Sequence, residues 1–112
     1  MEITEDIVDE SHIRQVIIII QQDGRIEPTN ICECQIPKLF NYKSLTKETC
    51  TQLENFNHFI IVYYLEEGGP YENKIATILL GKSIKGPIVL VERDVDLSPQ
   101  MIKEWITTLN RQ

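Results

Sequence analysis

Residues 73–99 read NKIATILLGKSIKGPIVLVERDVDLSP, and two incompatible structures lie in them. Ala76 to Ser83 matches a relaxed phosphate-binding loop, A-x-x-x-x-G-K-S. Such a loop follows a buried strand, curls through glycines, and opens a helix whose N-terminus faces the phosphates. Here Ile78, Leu79 and Leu80 fill the positions whose backbone N–H groups would have to face an anion. The alternative is a short helix over Tyr71–Leu80. Ile75, Ile78 and Leu79 then share one face, and Gly81 falls where a helix ends. The helical reading is preferred, and Lys82 is then a surface lysine, not a phosphate ligand.

Outward from that helix the pattern is regular. Gly86–Asp94 reads as a strand entered through Pro87. Ser98 and Pro99 open the clearest helix, a capping side chain followed by a proline at the first helical position. Met101, Ile102, Trp105, Ile106 and Leu109 form its apolar stripe. Upstream, Asn57–Glu67 is aromatic and β-branched and reads as a strand ended by Gly68-Gly69-Pro70. His12–Gln22 is a strand with a continuous β-branched run, which implies burial on both faces. Asp23-Gly24 signals a hairpin, and Arg25–Ile36 is read as extended, with Pro28 at an edge or a bulge. Alternation from Ile31 would put Cys32, Cys34 and Ile36 on one face. Residues 37–56 read as loop, or as a short helix on Leu45, Thr49, Leu53 and Phe56.

These elements predict an α+β class: a small, mostly antiparallel sheet of about four strands with two or three helices, the C-terminal helix packed on the sheet. The 112 residues fit one domain and one hydrophobic core, with residues 1–10 as an acidic and flexible N-terminus. Strands apolar on both faces, under helices on one side only, point to a homodimer that covers the other side.

Composition narrows the function classes. A formal net charge of −6 disfavours nonspecific binding to nucleic acid. Three cysteines are no disulfide framework and fit reduced thiols in an intracellular compartment. The acidic start MEITEDIVDE is unlike a signal peptide, and no apolar run approaches the length of a membrane span.

The chemistry-bearing residues have modest readings. Cys32-x-Cys34 with Cys50 and His58 lacks the C-x-x-C spacing of a zinc knuckle, so buried structural thiols are expected and no metal. His12 and His58 are the only histidines, both at strand starts. A catalytic or ligand-binding site would use His58 with Glu66, Glu67 or Asp94. Glu92, Asp94 and Asp96 are a candidate divalent-ion cluster, read first as a solvated turn. Tyr63 and Tyr64 point to opposite faces of their strand, Tyr71 flanks the glycine-rich turn, and Trp105 is read as core. No catalytic, cofactor or metal residue is assigned.

The spacing Asn73-x-x-Ala76-x-x-Leu79-x-Gly81-x-x-Ile84-x-Gly86-Pro87, followed by a strand, by Asp96-Leu97-Ser98-Pro99 and by a helix, resembles small uncharacterised proteins encoded by large DNA viruses of protists and similar short proteins of phages. The likeness spans Tyr71–Leu109. It implies an accessory or virion-packaged protein and carries no activity with it. The matching residues have scaffold roles: Ala76 permits close helix packing, Gly81 ends the helix, Gly86-Pro87 sets the turn, and Asn73 bonds to nearby backbone. The expectation is a self-associating, protein-binding chain that is not an enzyme.

Overall fold

The computed structural model describes residues 13–111; the acidic residues 1–10 and His12 lie outside them. Its five strands are β1 (Arg14–Ile20), β2 (Ile26–Cys32), β3 (Leu45–Thr49), β4 (Ile61–Leu65) and β5 (Ile88–Val91). They form one sheet in the order β2-β1-β5-β4-β3, and every neighbouring pair is antiparallel. The helices are α1 (Ile36–Leu39), α2 (Thr51–Glu54), α3 (Lys74–Leu80) and α4 (Pro99–Asn110). The class is α+β, with the C-terminal helix α4 packed against α3 and the sheet.

β5 lies at the centre because all four of its side chains are apolar, and all four are buried. β1 is its neighbour for the same reason, with Ile17, Ile18 and Ile20 fully buried. The expected hairpin joins β1 to β2, with Gly24 N–H donating to Gln21 O at 3.0 Å. Pro28 sits opposite Ile18 on β2, an edge strand, where a missing N–H leaves no ladder partner short.

One helix unites the chain. Asn73 caps α3 by accepting from Ala76 N–H at 3.0 Å. Its Nδ2 also donates to Ile20 O at 3.1 Å and to Gly86 O at 2.9 Å. Asn73 is 0% exposed, so each of these bonds replaces one to water. It ties β1, α3 and the entry to β5 together. Gly81 ends α3 at φ +73°, as its spacing predicts. Ser98 caps α4 through Met101 N–H.

Three expectations need correction. Leu45–Thr49, read as loop or helix, pairs with β4 along its whole length as β3, which completes a five-stranded sheet. An edge strand as polar as LTKET has no apolar alternation of its own and takes its conformation from the ladder. The extended reading of Arg25–Ile36 stops at Cys32, where a 3-10 turn (Glu33–Gln35) leads into α1. Cys32 and Cys34 therefore do not share a strand face. Finally, the apolar residues form two clusters, one on each face of the sheet. A sheet whose central strand is apolar at every position must cover both sides.

The two sides are covered unequally. Towards the helices, Ile18, Ile20, Val62, Ile88 and Leu90 meet Leu79, Ile102 and Trp105 and are all fully buried. On the other side Ile17, Val89 and Val91 are buried under Ile36 of α1 and Phe40, the residue after it. Around that small cover Ile19, Ile31, Leu45, Ile61, Tyr63 and Leu65 remain partly exposed.

Candidate functional site

The phosphate-loop match is settled by geometry. Residues 76–80 are the last turns of α3, and Gly81 closes a helix where a phosphate loop would have to open one. Ala76 is fully buried. Lys82 Nζ lies 2.8 Å from Glu48 Oε1 and 5.9 Å from the centre of the Tyr64 ring. The hydrogen bond to Glu48 raises the lysine above its ordinary pKa.

The cysteines separate. Cys50 is buried in the helix-side cluster, where its Sγ donates to Leu79 O at 3.1 Å, and burial pushes the thiol pKa up. Cys32 ends β2, half-buried, and Cys34 is exposed in the 3-10 turn. Among the described residues no three His, Cys, Asp or Glu side chains converge as a metal site. Of the acidic trio after β5, Asp96 Oδ1 accepts from Val16 N–H at 2.9 Å, and Asp94 occupies a tight turn at φ +67°. Asp96 thus ties the segment after β5 to β1, and Asp94 is a turn residue.

His58 pairs with a carboxylate, and the partner is Glu92. Nδ1 lies 3.1 Å from Glu92 Oε1. Glu92 is 8% exposed and uses its other oxygen to accept from Phe59 N–H at 3.2 Å. The imidazole packs on Trp105 with ring centres 4.7 Å apart. Glu66 and Glu67 lie beyond the far end of β4, beside Tyr42, Lys43 and Ser44. Asp94 sits in the tight turn between Glu92 and Val95. None of the three forms the expected pair with His58. Glu92 reaches it because β4 and β5 are antiparallel, which brings the start of one beside the end of the other.

A second polar group is built on the less covered sheet face. Glu33, 6% exposed, receives Arg93 Nε on Oε1 at 3.0 Å and Arg93 Nη2 on Oε2 at 3.2 Å. The Tyr63 hydroxyl donates to the same carboxylate, and Lys47 Nζ stands 3.9 Å away. Burial opposes the charge on Glu33, but Arg93, Tyr63 and Lys47 outweigh it and hold the carboxyl below its usual range. Burial and the adjacent Glu33 carboxylate push the Tyr63 hydroxyl pKa up. This group pins the α1 cover to β3, β4 and the end of β5. Neither Glu33 nor Arg93 stood out in the sequence. The signal available was the charged residue at the centre of ICECQI, in an otherwise half-apolar run.

Between these two groups is a groove of about 410 Å³ at one end of the sheet, lined by Thr49, Glu54, Phe59, Ile61, Glu92 and Arg93. Phe59 is 66% exposed on its rim. Tyr63 and Tyr64 do lie on opposite faces, each partly buried, and Trp105 is core. Tyr71 is exposed at the other end of the molecule, where its carbonyl accepts from Gly86 N–H. Among the described residues no helix is long and apolar enough to cross a membrane. No protein-family model matches the chain, and neither a curated protein nor a solved structure is significantly similar to it.

Proposed function

We propose that this chain is a non-enzymatic interaction module that self-associates as a homodimer and binds other proteins. The observation that carries the reading is the unequal cover of the sheet. On the helix side α2, α3 and α4 cover a large buried cluster, whereas the opposite face has only the short α1 region over Ile17, Val89 and Val91 and keeps Ile19, Ile31, Leu45, Ile61, Tyr63 and Leu65 partly in water. Partly exposed apolar residues gathered on one face in this way mark sites of association. The sheet edges are poor alternatives. β2 carries Pro28, and β3 carries Lys47 and Glu48, both devices that discourage strand addition. Association therefore uses the face. The resemblance of Tyr71–Leu109 to short viral and phage proteins supports an accessory role in an infected cell, and the net charge of −6 favours protein partners over nucleic acid.

Light scattering across a concentration series tests this. The expected result is a species of twice the 13.0 kDa chain mass that dissociates on dilution. A monomer at every concentration removes the self-association reading.

A second reading, a small ligand-binding or hydrolytic domain, is favoured by one contact. Glu92 bonded to Nδ1 would fix the His58 tautomer and leave Nε2 as the basic atom. Its test is turnover of a panel of activated esters by the wild-type chain and by His58→Gln. Equal background rates dismiss it.

A further inference from the structure

We propose that residues 1–12 fold back across the open face of their own chain, with Ile3, Ile7 and Val8 seated over the β4–β3 half of the sheet beside α1. This goes beyond the self-association proposed above and holds for a monomer as well as for a dimer. A second copy that uses the same face has to displace the segment first.

The first argument is where the chain leaves the fold. β1 begins at Arg14, at the end of the sheet where β5 finishes at Val91, β4 starts at Ile61 and β3 finishes at Thr49. Exposed Ile13, the residue before β1, alternates onto the side of Ile17 and Ile19, which is the open side. β4 lies two strands from β1. That is a step of about 10 Å, and β4 itself is about 17 Å long. Twelve residues span up to about 40 Å when extended and about 18 Å as a helix, so either form reaches.

The second argument is the pattern of MEITEDIVDESH. At helical spacing Ile3, Ile7 and Val8 fall on one side, with Thr4 and Ser11 between them. Glu2, Glu5, Asp6, Asp9 and Glu10 all fall on the other side. A narrow apolar stripe with acidic flanks matches the narrow strip that α1 leaves uncovered, where Leu45, Ile61, Tyr63 and Leu65 are partly exposed.

The third argument is charge. Residues 1–12 hold five of the seventeen acidic residues and none of the eleven lysines and arginines, so the rest of the chain is close to neutral. Residues 36–47 form the α1 cover and lead into β3, and they contain Lys38, Lys43 and Lys47 and no acid. All three lysines are exposed, and Lys47 Nζ stands on this face, 5.6 Å from the centre of the Tyr63 ring. An acidic segment seated between α1 and β3 thus meets the opposite sign along its flanks. Being tethered, it does so at an effective concentration on the order of millimolar, which favours it over a second copy in dilute solution.

Photo-crosslinking on the full chain tests the proposal. One variant carries p-benzoylphenylalanine in place of Ile7 and another in place of Asp9, on the opposite side of the stripe. Both positions lie outside the described residues, and circular dichroism checks that the fold is kept. Each sample mixes unlabelled and heavy-isotope chains, so that same-chain and cross-chain adducts differ in mass. The expected result is same-chain adducts from the Ile7 probe on peptides containing Ile61–Leu65 or Leu45–Thr49, at least about fivefold above those from the Asp9 probe. High salt should lower that yield by screening the lysines. Equal yields from the two probes, or adducts mainly on α3 and α4, overturn the proposal. Adducts that join a light chain to a heavy one overturn it too, since the segment is then exchanged between copies. Sedimentation of the same samples reads self-association separately. A monomer with same-chain adducts on the open face sustains this inference and removes that reading, and a dimer without them does the reverse.

Discussion

Glu33 and Arg93 are joined by two hydrogen bonds, 3.0 and 3.2 Å long, across a separation of 60 residues in the chain. The contact links the 3-10 turn after β2 to the residue just past Glu92 at the end of β5. It is what holds the small α1 cover against a sheet face that the other helices never reach.

Removing the charge of Glu33 should therefore loosen that cover. Glu33→Gln keeps the shape but weakens the bonds from Arg93 and Tyr63. The expected loss is about 1–3 kcal/mol at neutral pH, measured by urea unfolding. The pH dependence has a definite sign. The folded carboxyl titrates below the ordinary 4.5. Its contribution is thus fully present above the unfolded value and is lost as pH falls through the folded one. The gap between wild type and Glu33→Gln should close on acidification below about pH 4.5. A gap that stays constant into strong acid would mean that the Glu33 charge does not stabilise the fold.

Asn73 should be the most sensitive polar position. Asn73→Ala removes the α3 cap and both bonds to the carbonyls of Ile20 and Gly86. The sum of one cap and two buried bonds suggests a loss of about 2–4 kcal/mol. Asn73→Asp keeps the capping oxygen but sets a carboxylate against two carbonyl oxygens. It should be at least as damaging as alanine. If the aspartate variant melts with wild type, the amide donor is not what ties the three elements together.

The Gly86 and Gly81 positions separate strain from crowding. Both have positive φ, +80° and +73°. A Cβ on Gly86 would stand 2.5 Å from the backbone oxygen of Gly68, which cannot yield without moving the loop. A Cβ on Gly81 would meet only the Gln52 side chain, at 3.2 Å. Gly81→Ala should cost about 1 kcal/mol for the left-handed backbone. Gly86→Ala should cost that plus roughly 1–3 kcal/mol of overpacking. Equal thermal shifts for the two variants would count against the close approach of the two loops.

Cys50 should resist thiol reagents until the molecule opens. Burial raises its pKa and its Sγ hydrogen is engaged by Leu79 O, so little thiolate is exposed at neutral pH. Peptide mapping of a maleimide time course should show modification at Cys50 keeping pace with global unfolding in urea. Rapid labelling in the native state, at the rate of a small thiol, would contradict the burial.

Lys82 should be dispensable. Its pair with Glu48 is a surface contact, worth about 0–1 kcal/mol. Lys82→Met should leave the melting temperature nearly unchanged, and calorimetry with ATP and magnesium should show no binding heat in either protein.

The sequence by itself determined the elements whose residues carry their own instructions. β5 is apolar throughout and β1 is β-branched from Val16 to Ile20, α3 and α4 have a capping side chain and a periodic stripe, and Asp23-Gly24 makes its hairpin locally. The unequal need for cover was also legible, because strands apolar on both faces cannot leave either face bare. Only the tertiary structure decided the rest. LTKET is a strand because β4 offers it a ladder, not because of any apolar period. The turn after Cys32 and the α1 cover exist because Glu33 finds Arg93, and Ile36 and Phe40 find Val89 and Val91. His58 meets Glu92, and not Glu66, Glu67 or Asp94, because β4 and β5 run in opposite directions. Local conformation follows from backbone sterics and short-range hydrogen bonds, which neighbouring residues set. Pairings between distant residues follow from strand order and direction, which no short stretch of the chain contains.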